Sequence, residues 1–116
     1  MTEMKEVRAI VRTECLSRLV QALKKAKVTR FYVSRVHALG AGVDPEDFRV
    51  SMDEGEAFTE KTKVEFLCLA ARMEELVEVI RVCAQTGHRG DGVIIVSEVT
   101  DVVNVRTGDH DRVALL

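Results

Sequence analysis

Three glycines fall within six residues, Gly87, Gly90 and Gly92, with His88, Arg89 and Asp91 between them and Thr86 just before. Glycine adopts positive φ at little cost and lets another group come close to the backbone. A turn of this composition can aim several N–H groups into one concavity, which suits a phosphate or a carboxylate. The stretch ends an apolar helical stripe at Gln85 and opens a run of β-branched residues at Val93. The order is thus helix, loop, strand. It fits neither the Walker A pattern, since no Lys-Ser or Lys-Thr follows, nor the dinucleotide fingerprint, which follows a strand and opens a helix. On composition alone, a tight turn with a glycine helix cap is favoured over the anion cradle.

Other chemistry is sparser. His37, His88 and His110 stand with three scattered cysteines, Cys15, Cys68 and Cys83, and no Cys-x-x-Cys or His-x-x-x-His spacing occurs. The cysteines sit among apolar residues, so buried thiols in a reducing, cytoplasmic setting are expected. No nucleophile can be placed beside a base and an orienting partner, so no enzyme is expected, and Asp91 reads as loop geometry and not as a general base. A net charge of −2 gives no general pull toward nucleic acid or membranes. The aromatic residues are too few for a base-stacking surface. No apolar run is long enough for a bilayer, and the start, Met1-Thr2-Glu3-Met4-Lys5, has no signal-peptide core.

The elements that position the glycine loop follow from periodicity. The 116 residues bound the chain to one domain, 1–116. Val7, Ala9 and Val11 alternate with Arg8, Ile10 and Arg12, a strand pattern. Leu16, Leu19, Val20 and Leu23 then recur at helical spacing, with Thr13 as a candidate cap and Lys24, Lys25 and Lys27 near the end. A second strand is expected over 31–38, with Phe31, Val33 and Arg35 on one face. A third is expected over 63–70, with Val64, Phe66 and Cys68 alternating with Glu65, Leu67 and Leu69. Met73, Leu76, Val77, Ile80, Cys83 and Ala84 mark a second helix, and strands are expected over 93–99 and, briefly, 102–105. Two β-α-β halves of similar size imply an α+β, ferredoxin-like βαββαβ sandwich. Both helices would cover one sheet face. Ile10, Val36, Leu67 and Leu69 make the other face apolar, which points to oligomerisation.

Between the two halves, from Leu39 to Glu60, the periodicity stops. Connections of that length without structure of their own are usually functional or mobile. Residues 41–60 hold seven acids against one base, Arg49, a local charge of −6 that leaves +4 on the rest of the chain. An acidic arm therefore projects from a mildly basic body. Ser51 and Thr59 are expected to be solvated arm hydroxyls, and the acids match no EF-hand spacing.

Thr86-Gly87-His88-Arg89-Gly90-Asp91-Gly92, followed by Ile94-Ile95-Val96, resembles the B-loop signature of the PII signal-transduction family. Arg106-Thr107-Gly108 with the acidic run after it resembles that family's C-loop, and Met4 to Arg12 is similar to its first strand. The resemblance covers nearly the whole chain and identifies it as a divergent, PII-like member of the nitrogen regulatory protein PII superfamily. It implies a homotrimer with ATP, ADP or AMP bound in clefts between subunits. The residues it assigns to nucleotide are Gly40, Leu67, Thr86, Gly87, Gly90, Asp91, Gly92 and, from the adjacent subunit, Arg106; His88, Arg89 and Lys61 are added as nucleotide contacts on their charge, in partial compensation for departures from the family's pattern. It implies that 39–60 is the T-loop, a mobile arm that docks onto a protein target, a transporter or a metabolic enzyme, and that 106–116 is the C-terminal loop and tail.

Four departures qualify these implications. Val93 stands where the family has a lysine, and Asn104 where it has an arginine. Each lost charge-assisted contact to phosphate is worth about 1.5–3 kcal/mol. The pair amounts to roughly 10²–10⁴ in triphosphate affinity, so weaker binding, a preference for ADP or AMP, or no nucleotide binding at all is expected. Gly42 replaces the glutamine that helps coordinate the magnesium carrying 2-oxoglutarate, which leaves magnesium uncertain. No tyrosine lies in 39–61 for modification. The alternative is a trimer similar to CutA-type metal-tolerance proteins, with the arm's acids, His88 and His110 as ligands.

Overall fold

The computed structural model describes residues 3–115. Met1 and Thr2 of the N-terminal stretch and Leu116 of the 106–116 tail lie outside the described residues. The alternation of Val7, Ala9 and Val11 becomes strand β1 (Met4–Arg12), all three residues being buried. Helix α1 (Leu16–Lys25) buries Leu19 and Leu23. Strand β2 (Tyr32–Ala38), a two-residue strand β3 (Arg49–Val50) and the long strand β4 (Ala57–Leu69) follow. Helix α2 (Met73–Ala84) buries Leu76, Ile80 and Ala84, and β5 (Gly92–Glu98) is the last strand. The sheet runs β2-β4-β1-β5 with every pairing antiparallel, and β3 adds to β4 outside that order. This is the expected ferredoxin-like arrangement. Both helices cover one face, where Val7, Ala9, Val11, Val64, Phe66 and Cys68 meet Leu19, Leu23, Leu76 and Ile80. No helix among the described residues is long and apolar enough to cross a membrane.

Several local expectations need correction. Thr13 does not cap α1. It opens a short 3-10 turn, Thr13–Cys15, and its hydroxyl faces β4, accepting from the Thr62 hydroxyl at 3.1 Å. The thiols of Cys15 and Cys68 are buried, but Cys83 is only half-buried. No strand forms over 102–105. A single bridge joins Val103 to His110, because the Asn104 side chain bends the backbone there into a turn. The arm is not a featureless loop either. A 3-10 turn (Gly40–Gly42) follows β2, and Ala57 to Thr62 continue β4 outward, Thr59 to Thr62 pairing with β2 and Ala57 and Phe58 with β3 around a turn at 51–56. Thr59 is buried rather than solvated, because it lies on that extension.

The face opposite the helices is not uniformly apolar. Ile10, Val36, Leu67 and Leu69 are half-buried, with Val93 and Ile95 exposed beside them. A belt of charge crosses this face. Arg8 pairs with Glu6 at 2.9 Å and Glu65 at 3.7 Å, and Lys63 pairs with Glu65 at 3.6 Å.

Candidate functional site

Antiparallel register brings the end of β1 and the start of β5 beside an interior position of β4. Arg12 is the last residue of β1 and lies directly opposite Lys61 on β4, while Val11 lies opposite Gly92, the first residue of β5. Two cations facing each other across a ladder repel unless anions lie between them. Here two carboxylates do. Asp91, from the glycine loop, accepts from Arg12 Nε at 3.1 Å, and Asp44, from the arm, accepts from Arg12 Nη1. Arg12 Nη2 donates to the Arg89 carbonyl at 2.7 Å, and Lys61 Nζ donates to the Gly90 carbonyl. Lys61 and Asp44 are almost fully buried, at 3% and 4% exposure.

The loop itself is wound around Asp91. Its Oδ2 accepts the N–H of Thr86 at 2.7 Å and of Gly87 at 3.0 Å, and its Oδ1 accepts the Thr86 hydroxyl. The Thr86 hydroxyl oxygen in turn accepts the His88 N–H at 3.2 Å. An anion is thus already seated on converging N–H groups, and it is the chain's own carboxylate. The Thr86 hydroxyl and N–H first, then Arg12, hold the Asp91 carboxyl well below the usual carboxylate range. The Glu46 N–H and Arg12 lower that of Asp44. Burial, followed by repulsion from Arg12, pushes the Lys61 ammonium down, while Asp44 and Asp91 oppose the shift.

The glycines are required by this winding. Gly87, Gly90 and Gly92 all have positive φ, and a Cβ on Gly92 would stand 1.9 Å from the Ile10 carbonyl oxygen. A Cβ on Gly90 would stand 3.1 Å from both Arg12 Nη2 and Asp44 Oδ2. None of the three caps α2, because the residue closing that helix, Gln85, is already extended. Beside the loop lies a groove of about 450 Å³, lined by Arg12, Glu14, Asp44, Thr86, His88 and Arg89.

Thr86, Gly87, His88, Arg89, Gly90, Asp91, Gly92 and Lys61 therefore come together. Gly40 stands apart at the foot of the arm, with positive φ and open space around it. Leu67 and Arg106 lie at the other end of the sheet. They line a larger cavity of about 790 Å³ between the C-terminal segment and the sheet, together with Lys27, Thr29 and Arg72. Lys61 and Leu67 share one strand, six residues apart, which is roughly 20 Å.

The departures have local causes. Asn104 is spent on the turn that presents Arg106. Its Oδ1 accepts the N–H of Arg106 at 2.9 Å and of Thr107 at 3.1 Å, and its Nδ2 donates to the Ala114 carbonyl at 2.8 Å. A Cβ on Gly42 would meet the Ala38 Cβ at 3.1 Å, tighter than most such contacts. Val93 is exposed and lies opposite Ile10 on the open face.

Arg12, Asp44 and Thr59 were not among the residues expected here. Arg12 is visible in the sequence only as a strand position, and Asp44 only as one of seven arm acids. The register that sets Arg12 against Lys61 is the signal that finds them. His88 borders the groove, whereas His110 pairs with Asp101 at 2.9 Å. Among the described residues no group of three or more His, Cys, Asp or Glu is arranged to hold a metal ion.

Comparisons with known proteins agree with this architecture. The profile of the family described as nitrogen regulatory protein P-II matches residues 4–109. Nitrogen regulatory protein P-II 1 of Methanothermobacter thermautotrophicus is 34% identical over 115 residues, covering 99% of this chain and 100% of the relative. The P-II protein of Synechocystis sp. is 31% identical over 112 residues, covering 97% and 100%. Among solved structures, Arabidopsis thaliana PII bound to citrate superposes with a TM-score of 0.78 at 32% identity, covering 97% of this chain and 92% of that one. Nothing in these similarities supports the CutA-like alternative, and the matching family and relatives are described as regulatory proteins. The chain belongs to the nitrogen regulatory protein P-II family.

Proposed function

We propose that this chain is a cytoplasmic regulatory subunit that binds an adenine nucleotide, ATP, ADP or AMP, in the clefts of a homotrimer and reports it to a protein target through the arm 39–60. The observation that carries this reading is the separation of two half-sites. The glycine loop with Lys61 and Arg12 stands at one end of the sheet, and Leu67 and Arg106 at the other, roughly 20 Å away along one strand. A single nucleotide cannot bridge them within one chain. Two chains packed through their open sheet faces would bring the phosphate cradle of one to the Arg106 cavity of its neighbour. The half-buried Ile10, Val36 and Leu67 and the Arg8 belt would then be covered. The buried Arg8 Nε, which has no hydrogen-bond partner, would be near a second chain. The citrate bound by Arabidopsis PII, a polyanion, is consistent with an anion site in this fold.

The arm suits a protein target. Phe48, Val50 and Met52 are exposed at its outer part, Met52 at 97%, among Glu46, Asp47, Asp53 and Glu54. A basic-rimmed apolar cleft on a transporter or metabolic enzyme would complement it. Calorimetry with ATP, ADP and AMP tests the site. Binding by the wild type with marked weakening in Arg106→Ala is expected, and light scattering should give three chains per particle. Equal heats for the two proteins, or a monomer at micromolar concentration, would remove the intersubunit site.

A further inference from the structure

We propose that Asp44, carried by the arm, holds the position at Arg12 that an incoming anion must take, so that seating the anion and unfastening the arm are one event. This rests on the reading of the glycine loop as an anion cradle. Asp44 is the only carboxylate of the arm in contact with the described cradle residues. Its Oδ2 bonds Arg12 and lies where a Cβ on Gly90 would touch it at 3.1 Å, so it presses directly on the loop. It is nearly inaccessible, unlike the solvated acids Glu46, Asp47, Asp53 and Glu56. A buried acid in contact with the cradle is different from a free arm.

Charge arithmetic makes this contact competitive. Arg12, Lys61 and Arg89 supply three positive charges at the cradle and its groove, and Glu14, Asp91, Asp44 and Glu46 supply four negative ones. With Asp44 seated the cradle has no net attraction for a phosphate. With Asp44 and the Glu46 tied to it withdrawn, three positive charges face two negative ones, and Arg12 Nη1 is open. Asp91 cannot play the same part, because four donors hold it inside its own loop.

Asp44 is fastened to the arm as firmly as to Arg12. Its N–H donates to Thr59 Oγ1 at 2.6 Å, the Thr59 hydroxyl donates to the Asp47 carbonyl at 2.9 Å, and Asp44 Oδ1 accepts the Glu46 N–H at 3.0 Å. Residues 44–47 and the outer end of β4 therefore move with the Asp44 carboxylate. An anion that displaces it releases the foot of the hairpin that carries Phe48 and Val50.

The test uses the full chain, with sodium tripolyphosphate and ATP as probes and trypsin as the reporter of the arm. Arg49 is exposed and is the only tryptic target in 41–60. Asp44→Asn should be cut at Arg49 several-fold faster than wild type without any anion. Tripolyphosphate should speed cleavage of wild type but not of Asp44→Asn. Asp44→Asn should bind tripolyphosphate and ATP roughly tenfold more tightly, the scale of one charged partner removed from competition. Asp53→Asn removes an equal charge from the exposed turn and should change neither measurement. Thr59→Val, which unties residues 44–47 from β4, should shift both in the same direction and serves if Asp44→Asn does not fold. Wild-type cleavage rates and affinities in both variants, or equal shifts in Asp53→Asn, would overturn the proposal while leaving the binding site standing. Failure of every protein to bind either probe would sink the binding reading and the proposal together.

Discussion

Replacing Gly92 by alanine should do more damage than replacing Gly87, although both glycines have positive φ in the same loop. An L-residue at positive φ pays about 1–2 kcal/mol for its backbone. At Gly87 nothing lies within 4 Å of the new methyl group, so that conformational term is the whole effect. At Gly92 the methyl group would stand 1.9 Å from the Ile10 carbonyl oxygen and 3.1 Å from the Val11 Cα. The obstacle is backbone of the central strand, which cannot rotate aside as a side chain can. The start of β5 must move off β1 by more than an ångström, at the Val11–Gly92 pairing and beside Arg12. Overpacking of this kind adds about 1–3 kcal/mol. The expected loss is thus roughly 2–5 kcal/mol for Gly92→Ala against about 1–2 kcal/mol for Gly87→Ala. Urea unfolding at a fixed protein concentration, held constant because assembly contributes to apparent stability, measures both. Amide exchange should show that Thr86 and Gly87, bonded to Asp91, lose protection only in Gly92→Ala. Equal destabilisation by the two substitutions would refute the close-approach argument.

Two further outcomes follow from the same geometry. Lys27 closes α1 at φ 71°, with the Val28 N–H bonded to the Leu23 carbonyl at 2.9 Å and its own N–H to Lys24 at 3.0 Å. Glycine is the residue this cap favours, so Lys27→Gly should raise the unfolding free energy by about 0.5–1 kcal/mol; a decrease in the urea midpoint would contradict it. The folded state holds the Asp91 carboxyl below its ordinary range, so below that range the unfolded chain binds more protons. The stabilisation is complete above the unfolded carboxylate value near 3.9 and drains away as the pH falls toward the lower folded value. Asp91→Asn should flatten the acid side of the stability profile, and an unchanged slope below about pH 4 would show that Asp91 is not responsible.

Much of the fold was legible because one face of every element is apolar. Val7, Ala9 and Val11 with Leu19, Leu23, Leu76 and Ile80 announce the core by spacing alone, and all seven are buried. The arm was harder to read. Ala57 to Lys61 alternate weakly, since Phe58 is buried on one face and the polar Thr59 and Lys61 on the other, and a strand buried on both faces gives no period-two signal. The glycine loop was legible as chemistry. Its ligand-like partners were not, because Arg12, Asp44 and Thr59 come from three distant segments. Only strand register shows that Arg12 faces Lys61, and that carboxylates gather at Arg12 to offset the pair. Asn104 likewise reads as a lost phosphate contact in the sequence, whereas in the fold it is the residue that shapes the Arg106 turn.

β4 passes through every functional region in turn: Thr59 in the arm, Lys61 at the cradle, Phe66 in the core and Leu67 at the far cavity. Side chains on a strand alternate strictly, so one inserted residue anywhere along it would exchange inside for outside from that point onward. An insertion before Lys61 would put lysine into the helix-covered interior and Phe66 into the open face. Changes of length beside β4 are therefore absorbed where no pairing runs, at the turn at 51–56 on its outer side. Residues added or removed there alter the tip that meets whatever the arm touches, while the spacing that ties that tip to the rest of the molecule stays fixed.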